Sequence, residues 1–171
     1  MAFVIGLSAG ATVLVGQAWG AKNVEKVRCV VGSTLFMTLI GGTLIALLGV
    51  IFTKYILQAL GTAPDVLHLS VPYVQWMLAG SPLLFIYIIY TSILRGVGDS
   101  TTPLIASAMT IGTGLIITPV LILGKFGFPK LGIIAPAIAT IIGFLIALIF
   151  LYFYLNKTNH PLRPDLALIK H

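Results

Sequence analysis

The sequence predicts an all-α membrane protein, a bundle of five transmembrane helices. Of its 171 residues, 58% are hydrophobic and only 8% are charged, whereas about 25% of a soluble globular domain is charged. The charged residues are confined to short segments, which leaves five charge-free stretches, 1–21, 29–53, 66–94, 100–124 and 131–156. Each is long enough to cross a bilayer, because a membrane-spanning helix needs about 20 apolar residues. Apolar runs such as residues 83–89 do not alternate with polar residues, as the strands of a membrane barrel would.

The first two spans are bounded by helix-ending residues and charges. The first is expected over about residues 2–19, and it ends at Gly20 and the polar residues that follow, Lys22 and Asn23. The second is expected over about residues 29–55, before the turn sequence of residues 61–65.

Prolines mark the remaining spans. The third span is predicted to start near Pro72, to continue to Leu94, and to bend at Ser81-Pro82, because a proline inside a helix removes a backbone donor. The fourth is predicted to start with Thr102 as cap and Pro103 as first residue. It ends at Leu123, and the fifth covers about residues 132–155.

The distribution of basic residues predicts the orientation of the chain. With five spans, one side of the membrane carries seven bases and the other carries three, Lys54, Lys125 and Lys130. Cytoplasmic loops are rich in Lys and Arg, so the seven are predicted to be cytoplasmic: Lys22, Lys26, Arg28, Arg95, Lys157, Arg163 and Lys170. The N-terminus then lies outside, and the odd number of spans predicts a preceding helix that is missing from this sequence.

The sequence offers no residues for enzyme chemistry. The formal net charge of +6 comes from bases in loops, so it is attributed to membrane orientation and no nucleic-acid partner is expected. No charged residue lies in the interior of a span, where one would be a functional candidate. Cys29 is the only cysteine, which excludes a cysteine-based metal cage. We therefore expect no catalysis, no metal site and no cofactor.

The fourth span contains the candidate substrate site. At about 100° per residue, Ser107, Thr110, Gly114 and Thr118 lie within about 80° of one another on the helix. Pro119 follows them and is a candidate helix break, which would free a backbone carbonyl. We expect this face to line a cavity; alternatively, its hydroxyls bond their own helix backbone or an adjacent helix. The residues on the opposite face are Ile105, Ile116 and Leu123.

Glycines in the first two spans predict close helix packing, which in lipid depends on small residues. The glycines in question are Gly6, Gly10, Gly41, Gly42 and Gly49. The same residues would also suit a surface on which helices slide during transport.

These segments, in this order, resemble the multidrug and toxic compound extrusion (MATE) transporter family. Residues 6–12 and 17–23 are similar to its second helix and the loop after it. The sequence Ile93-Leu-Arg-Gly-Val-Gly-Asp-Ser-Thr-Thr-Pro103 is similar to the loop between its fourth and fifth helices. Residues 124–132 and 135–140 resemble the entry to its sixth helix.

The resemblance implies helices two to six of a six-helix N-terminal lobe. Residues 1–155 would then be a partial lobe, and residues 156–171 a polar cytoplasmic tail that starts the linker to a second lobe. It also implies Na⁺- or H⁺-coupled export of small amphipathic or cationic compounds by alternating access, in the cytoplasmic membrane of a bacterium or archaeon. Besides the lipid bilayer, the missing first helix and the second lobe would be partners of this chain.

The coupling site implied by the family has a gap in this sequence. Many members have Asn and, four residues later, Asp before the proline of the fifth helix, where this chain has Gly114 and Thr118. Neither carries negative charge, so a coupling acid would lie elsewhere. The resemblance also carries over no aromatic substrate contact, since Tyr73, Trp76, Tyr87 and Tyr90 suit interface anchoring or packing equally.

Two other functions remain open from the sequence. A flippase for lipid-linked sugars, from the same superfamily, would share the helices and glycine turns but would be favoured by basic residues inside the lobe. A non-transporting membrane scaffold subunit would also suit a chain of five spans.

Overall fold

The computed structural model of the chain describes residues 2–123 and 132–157, without the side chains of Ala2, Phe3 and Pro64. Within these ranges the fold is entirely helical. The helices are α1 (Ala2–Gly20), α2 (Val24–Ala59), α3 (Pro64–Ala79), α4 (Ser81–Gly96), α5 (Thr101–Leu123) and α6 (Ala135–Lys157), with a 3₁₀ turn at Gly132–Ile134 before α6.

The six helices correspond to the five predicted spans. In the described part of the chain, α2, α5 and α6 with its preceding turn are each long and apolar enough to cross a membrane. Helices α3 and α4, bent by 43° relative to each other, are long and apolar enough to cross a membrane when taken together. Helix α1 is shorter, but its 19 residues fall within the range of about 17 to 25 residues for membrane-spanning helices.

The third span is bent where the sequence predicts, but it starts earlier. The break lies at Gly80, directly before Ser81-Pro82. The predicted start near Pro72 is wrong, because α3 begins at Pro64 and contains Pro72 in its interior. Pro64 occupies the first turn, where a missing N–H costs nothing. Asp65 in the same turn complements the positive end of the helix dipole.

The second span is also longer than predicted. Helix α2 has 36 residues rather than the expected span of residues 29–55, which corresponds to a length of about 54 Å. The side-chain oxygen of Asn23 accepts a hydrogen bond from the Lys26 backbone N–H, 3.0 Å away, and caps the helix. The charged residues after this cap, Glu25, Lys26 and Arg28, belong to the helix. A charged residue is disfavoured in the hydrocarbon region of the membrane, but it can lie in the part of a helix that extends into water.

Helix α5 has a different cap from the one predicted. Asp99, not Thr102, accepts hydrogen bonds from the backbone N–H groups of Thr101 and Thr102, at 3.1 and 3.0 Å. The Thr102 hydroxyl also donates to the Asp99 carboxylate, at 2.5 Å. A carboxylate suits the positive end of a helix dipole better than a neutral hydroxyl does, which explains why Asp99 rather than Thr102 caps α5.

Helix α4 lies at the centre of the bundle. It contacts α1, α2, α5 and α6. Helix α5 packs mainly against α6, whereas α2 packs against α1, α3 and α4 to a similar extent. Ile89 and Ile93 of α4 are fully buried in a core with Val15 of α1 and Leu151 of α6. Large apolar side chains on the outer helix faces are exposed, for example Ile51 at 64%. An apolar exterior around an apolar core is what a lipid-embedded bundle requires.

Several glycines allow the close helix contacts that the sequence predicts. A Cβ atom built on Gly42 would lie 3.0 Å from the Phe85 ring, and one on Gly49 would lie 2.9 Å from Leu78. No described atom lies within 4 Å of a Cβ built on Gly6 or Gly10. The packing prediction is therefore confirmed for Gly42 and Gly49 and wrong, within the described chain, for Gly6 and Gly10.

Candidate functional site

The predicted polar face of α5 lies between the buried and exposed sides of the helix. Ser107, Thr110, Gly114 and Thr118 are all half-buried. The opposite face is turned away from the bundle: Ile105, Ile116 and Leu123 are 44%, 70% and 54% exposed. The four residues therefore lie along one face of α5, at the border between its buried and exposed sides. Their environments differ along the helix.

Ser107 links α5 to α4. Its Oγ lies 2.8 Å from the hydroxyl of Tyr87, and either oxygen is able to donate this hydrogen bond. The Tyr87 ring packs in turn against Phe144 of α6, with ring centroids 5.3 Å apart. Ser107 is thus held at a point where three helices meet.

Thr110 lies at the contact between α5 and α6. Its hydroxyl donates to the carbonyl of Ala106 in its own helix, at 3.0 Å. A Cβ built on Gly143 would lie 3.1 Å from the Thr110 carbonyl oxygen and 3.2 Å from its Cγ2. The sequence left open that these hydroxyls bond their own helix backbone or an adjacent helix. Thr110 does the first and Ser107 does the second.

Gly114 and Thr118 are in a more open environment. No described atom lies within 4 Å of a Cβ built on Gly114. The Thr118 hydroxyl has no hydrogen bond to any of the described residues. Helix α5 continues through Pro119 to Leu123 without a break in the helix. Because proline has no backbone N–H, the carbonyl of Leu115 still lacks its usual helical donor.

A cavity of about 370 Å³ lies between α4 and α5, near the loop that joins them. Ser107 lies at one end of it, and its α4 wall carries Tyr87, Thr91 and Arg95. The sequence analysis did not select these three residues as a site. Their spacing could have indicated a shared surface, because positions four residues apart lie on one face of a helix. In the structure all three side chains form hydrogen bonds.

The acidic side chains of the described residues lie at helix ends. Glu25 and Asp65 are in the first turns of α2 and α3, and Asp99 caps α5. Within residues 2–123 and 132–157, no group of three or more His, Cys, Asp or Glu side chains is placed to hold a metal ion. The described site offers hydrogen-bonding groups and the guanidinium of Arg95.

A second, larger cavity lies between the last turns of α2 and the second half of α3. It measures about 920 Å³ and is lined almost entirely by apolar side chains, among them Leu48, Phe52, Ile56, Val74 and Leu78. Nothing in its lining selects a ligand of particular chemistry.

The described helices form the bundle of a polytopic all-α membrane protein. The MatE family model matches residues 1–120, and the chain belongs to this family, the MATE transporters. It is 44% identical over 165 residues to the probable multidrug resistance protein YoeA of Bacillus subtilis, covering 96% of this chain and 36% of that protein. It is also 32% identical over 177 residues to the probable multidrug resistance protein NorM of Thermotoga maritima, again with 96% and 36% covered.

Solved MATE structures share the fold. An outward-facing MATE family transporter of the MOP superfamily superposes with a TM-score of 0.83 at 20% identity, over 98% of this chain and 38% of the other. An inward-facing structure gives 0.77 at 22% identity, over 98% and 40%. The chain thus spans about a third of the length of the relatives it matches. The predicted family and helical fold are confirmed.

Proposed function

We propose that this chain forms part of an exporter of small amphipathic or cationic compounds. Export is driven by Na⁺ or H⁺ entering the cell, and it proceeds by alternating access. The observation that carries the proposal is the 44% identity, over 96% of the chain, to a protein named as a probable multidrug resistance protein. In this proposal the protein works in the cytoplasmic membrane of a bacterium or archaeon, and the described bundle moves against a second lobe.

The open half of the α5 face supports a role in binding the exported compound. Gly114 leaves space beside the helix backbone, and Thr118 presents a hydroxyl without a partner among the described residues. An uncharged surface with a few hydrogen-bonding groups is typical of sites for drug-sized ligands. In the proposal, Gly114 and Thr118 contact the compound, whereas Ser107 and Thr110 hold α5 against α4 and α6.

The described spans offer no carboxylate for the coupling cation. Gly114 and Thr118 are neutral, and the described acids lie at the ends of helices rather than inside them. Moving Na⁺ or H⁺ through an apolar bundle requires an ionisable or oxygen-rich site. We therefore place the coupling acid in a part of the transporter outside the described residues.

Transport into inverted membrane vesicles tests the proposal. Vesicles from cells expressing the intact gene are loaded with Na⁺ or with acidic buffer, and uptake of a fluorescent cationic dye is followed. An antiporter accumulates the dye when the cation flows out of the vesicle, and dissipating the gradient with an ionophore stops the accumulation. Absence of uptake in either gradient, with the protein present in the membrane, would contradict the proposal and favour a scaffold subunit.

The alternative function, a flippase for lipid-linked sugars, is tested in a separate assay. The same protein is reconstituted into liposomes that contain a fluorescent lipid-linked sugar, and the fraction accessible to an external quencher is measured. Lipid movement without dye uptake would replace the exporter by the flippase.

A further inference from the structure

The α4–α5 cavity offers hydrogen-bond donors and a positive charge. Arg95 and Ser100 lie at its loop end, and Tyr87 and Ser107 lie at its deep end. The lining includes no carboxylate. From Arg95 to Tyr87 is eight residues along α4, or about 12 Å. A ligand in this cavity would therefore meet a cation at one end and hydroxyl groups at the other.

The guanidinium of Arg95 is held on the cavity wall but keeps free donors. Its Nε donates to the carbonyl of Thr91 at 3.1 Å, and one Nη donates to the Ser92 hydroxyl at 3.4 Å. A guanidinium has five N–H groups, so at least three remain for a ligand. Its planar fork fits two oxygens of a phosphate or carboxylate at once.

The deep end supplies one further donor. Tyr87 and Ser107 share a single hydrogen bond, so one hydroxyl proton is used between them and the other is free to point into the cavity. The Thr91 hydroxyl already donates to the carbonyls of Tyr87 and Ile88, both at 3.0 Å. Thr91 is therefore available only as an acceptor, and the Tyr87–Ser107 pair is the donor at this end.

An apolar strip leads away from the cavity along α5. Leu104 lines the cavity and is 69% exposed. Ile111 and Leu115, two and three turns further along the same side, are 64% and 72% exposed. A ligand with an anionic head and an apolar tail would place the head at Arg95 and the tail along this strip.

We propose that the α4–α5 cavity binds a phosphoryl oxyanion, with the negative charge at Arg95 and a ligand oxygen at the Tyr87–Ser107 pair. The guanidinium matches the negative charge of a phosphoryl group, and the free donors match its several acceptor oxygens. The same chemistry is found in a phospholipid headgroup and in a soluble phosphate ester. This proposal does not depend on the proposed transport function, because ligand binding is measured directly.

Native mass spectrometry of the purified protein tests the proposal. Phosphatidylglycerol and glycerol 3-phosphate are titrated separately, and the bound fraction gives an apparent Kd for each. Arg95→Gln is expected to raise the Kd of the bound ligand by about tenfold or more, because a charge-assisted contact is lost. Lys157→Gln is the matched control: this exposed lysine in the last turn of α6 also removes one positive charge, and it should leave the Kd unchanged.

The hydroxyl pair gives a second, more specific readout. Tyr87→Phe and Ser107→Ala each leave one free hydroxyl, so each alone should change the Kd by less than about twofold. The double variant removes the donor and should raise the Kd by about fivefold, which is a non-additive result. If Arg95→Gln lowers thermal stability, Arg95→Lys replaces it; this variant keeps the charge, loses the fork, and should weaken binding by about threefold.

The outcomes distinguish the two sources of the ligand. Arg95-dependent binding of phosphatidylglycerol that glycerol 3-phosphate does not displace assigns the cavity to a lipid headgroup. Arg95-dependent binding of glycerol 3-phosphate assigns it to a soluble phosphate ester. If neither probe binds in an Arg95-dependent way, or if the hydroxyl variants are simply additive, the proposal is wrong.

Discussion

The hydroxyl of Tyr87 in α4 lies 2.8 Å from the hydroxyl of Ser107 in α5. It joins two helices that otherwise touch little, since α5 packs mainly against α6. The pair also separates the α4–α5 cavity from the rest of the α5 polar face. On one side is the cavity that contains Arg95, and on the other are the packed Thr110 and the open Gly114. Four predictions about this bundle can be tested directly.

Replacing Gly96 should loosen the contact between α1 and α4. A Cβ at this position would lie 2.9 Å from the backbone oxygen of Thr12, and backbone cannot move aside as a flexible side chain would. We expect Gly96→Ala to destabilise the protein by about 1–3 kcal/mol, which lowers Tm by about 2–4 °C for each kcal/mol. Gly112→Ala is the control, because no described atom lies within 4 Å of its Cβ. Equal Tm values for the two variants would show that the contact is not tight.

Cysteine labelling should separate the two halves of the α5 face. In a Cys29→Ser background, needed because Cys29 is exposed, Gly114→Cys and Thr118→Cys should react with a membrane-impermeant thiol reagent. Thr110→Cys should react at least about tenfold more slowly, because Thr110 packs against Gly143. Ile116→Cys should stay unlabelled, as its 70% exposed side chain faces lipid.

Added substrate provides the contrast within the same experiment. A compound that occupies the site should slow labelling at Gly114→Cys and Thr118→Cys and leave Thr110→Cys unchanged. Labelling of Ile116→Cys as fast as of Thr118→Cys would remove the cavity interpretation of this face.

The orientation predicted from charge places Asn23, Asp99 and Asn159 in the cytoplasm. Reporter fusions should all give the cytoplasmic signal, because seven of the ten Lys and Arg residues lie on that side. A fusion at Lys54 serves as the control and should report the opposite side. A periplasmic signal at Asn23 would overturn the orientation and the assignment of the spans to helices two to six.

Residues 1–171 expressed alone should not transport. Alternating access requires two repeats that move against each other around a shared site, and residues 1–171 are predicted to form only part of one of them. Dye efflux from cells that lack other copies of the protein should equal that of cells with an empty vector. The intact gene, expressed at the same level, is the control, and efflux by residues 1–171 alone would show that one bundle is sufficient.

Much of the helix architecture was predictable from the sequence for a simple reason. A charged group inside hydrocarbon is costly, so the charge-free stretches locate the spans. The absence of apolar–polar alternation within them predicts helices rather than strands. The bend at Ser81-Pro82 was equally accessible, because proline lacks a backbone N–H. Helix ends were less so: α2 extends beyond the charge-free stretch at both ends, since a helix continues into water wherever its backbone is capped.

The contents of the site depended on tertiary structure. Periodicity placed Ser107, Thr110, Gly114 and Thr118 on one face, but only the packing of α6 showed that Gly143 covers Thr110 and leaves Gly114 open. Tyr87 and Ser107 are 20 residues apart in sequence, and the hydrogen bond between them exists because α4 and α5 meet at that level. A one-dimensional pattern determines which residues share a helix face, because the helix repeat is fixed. It does not determine what lies opposite that face, because this is set by the packing of other helices.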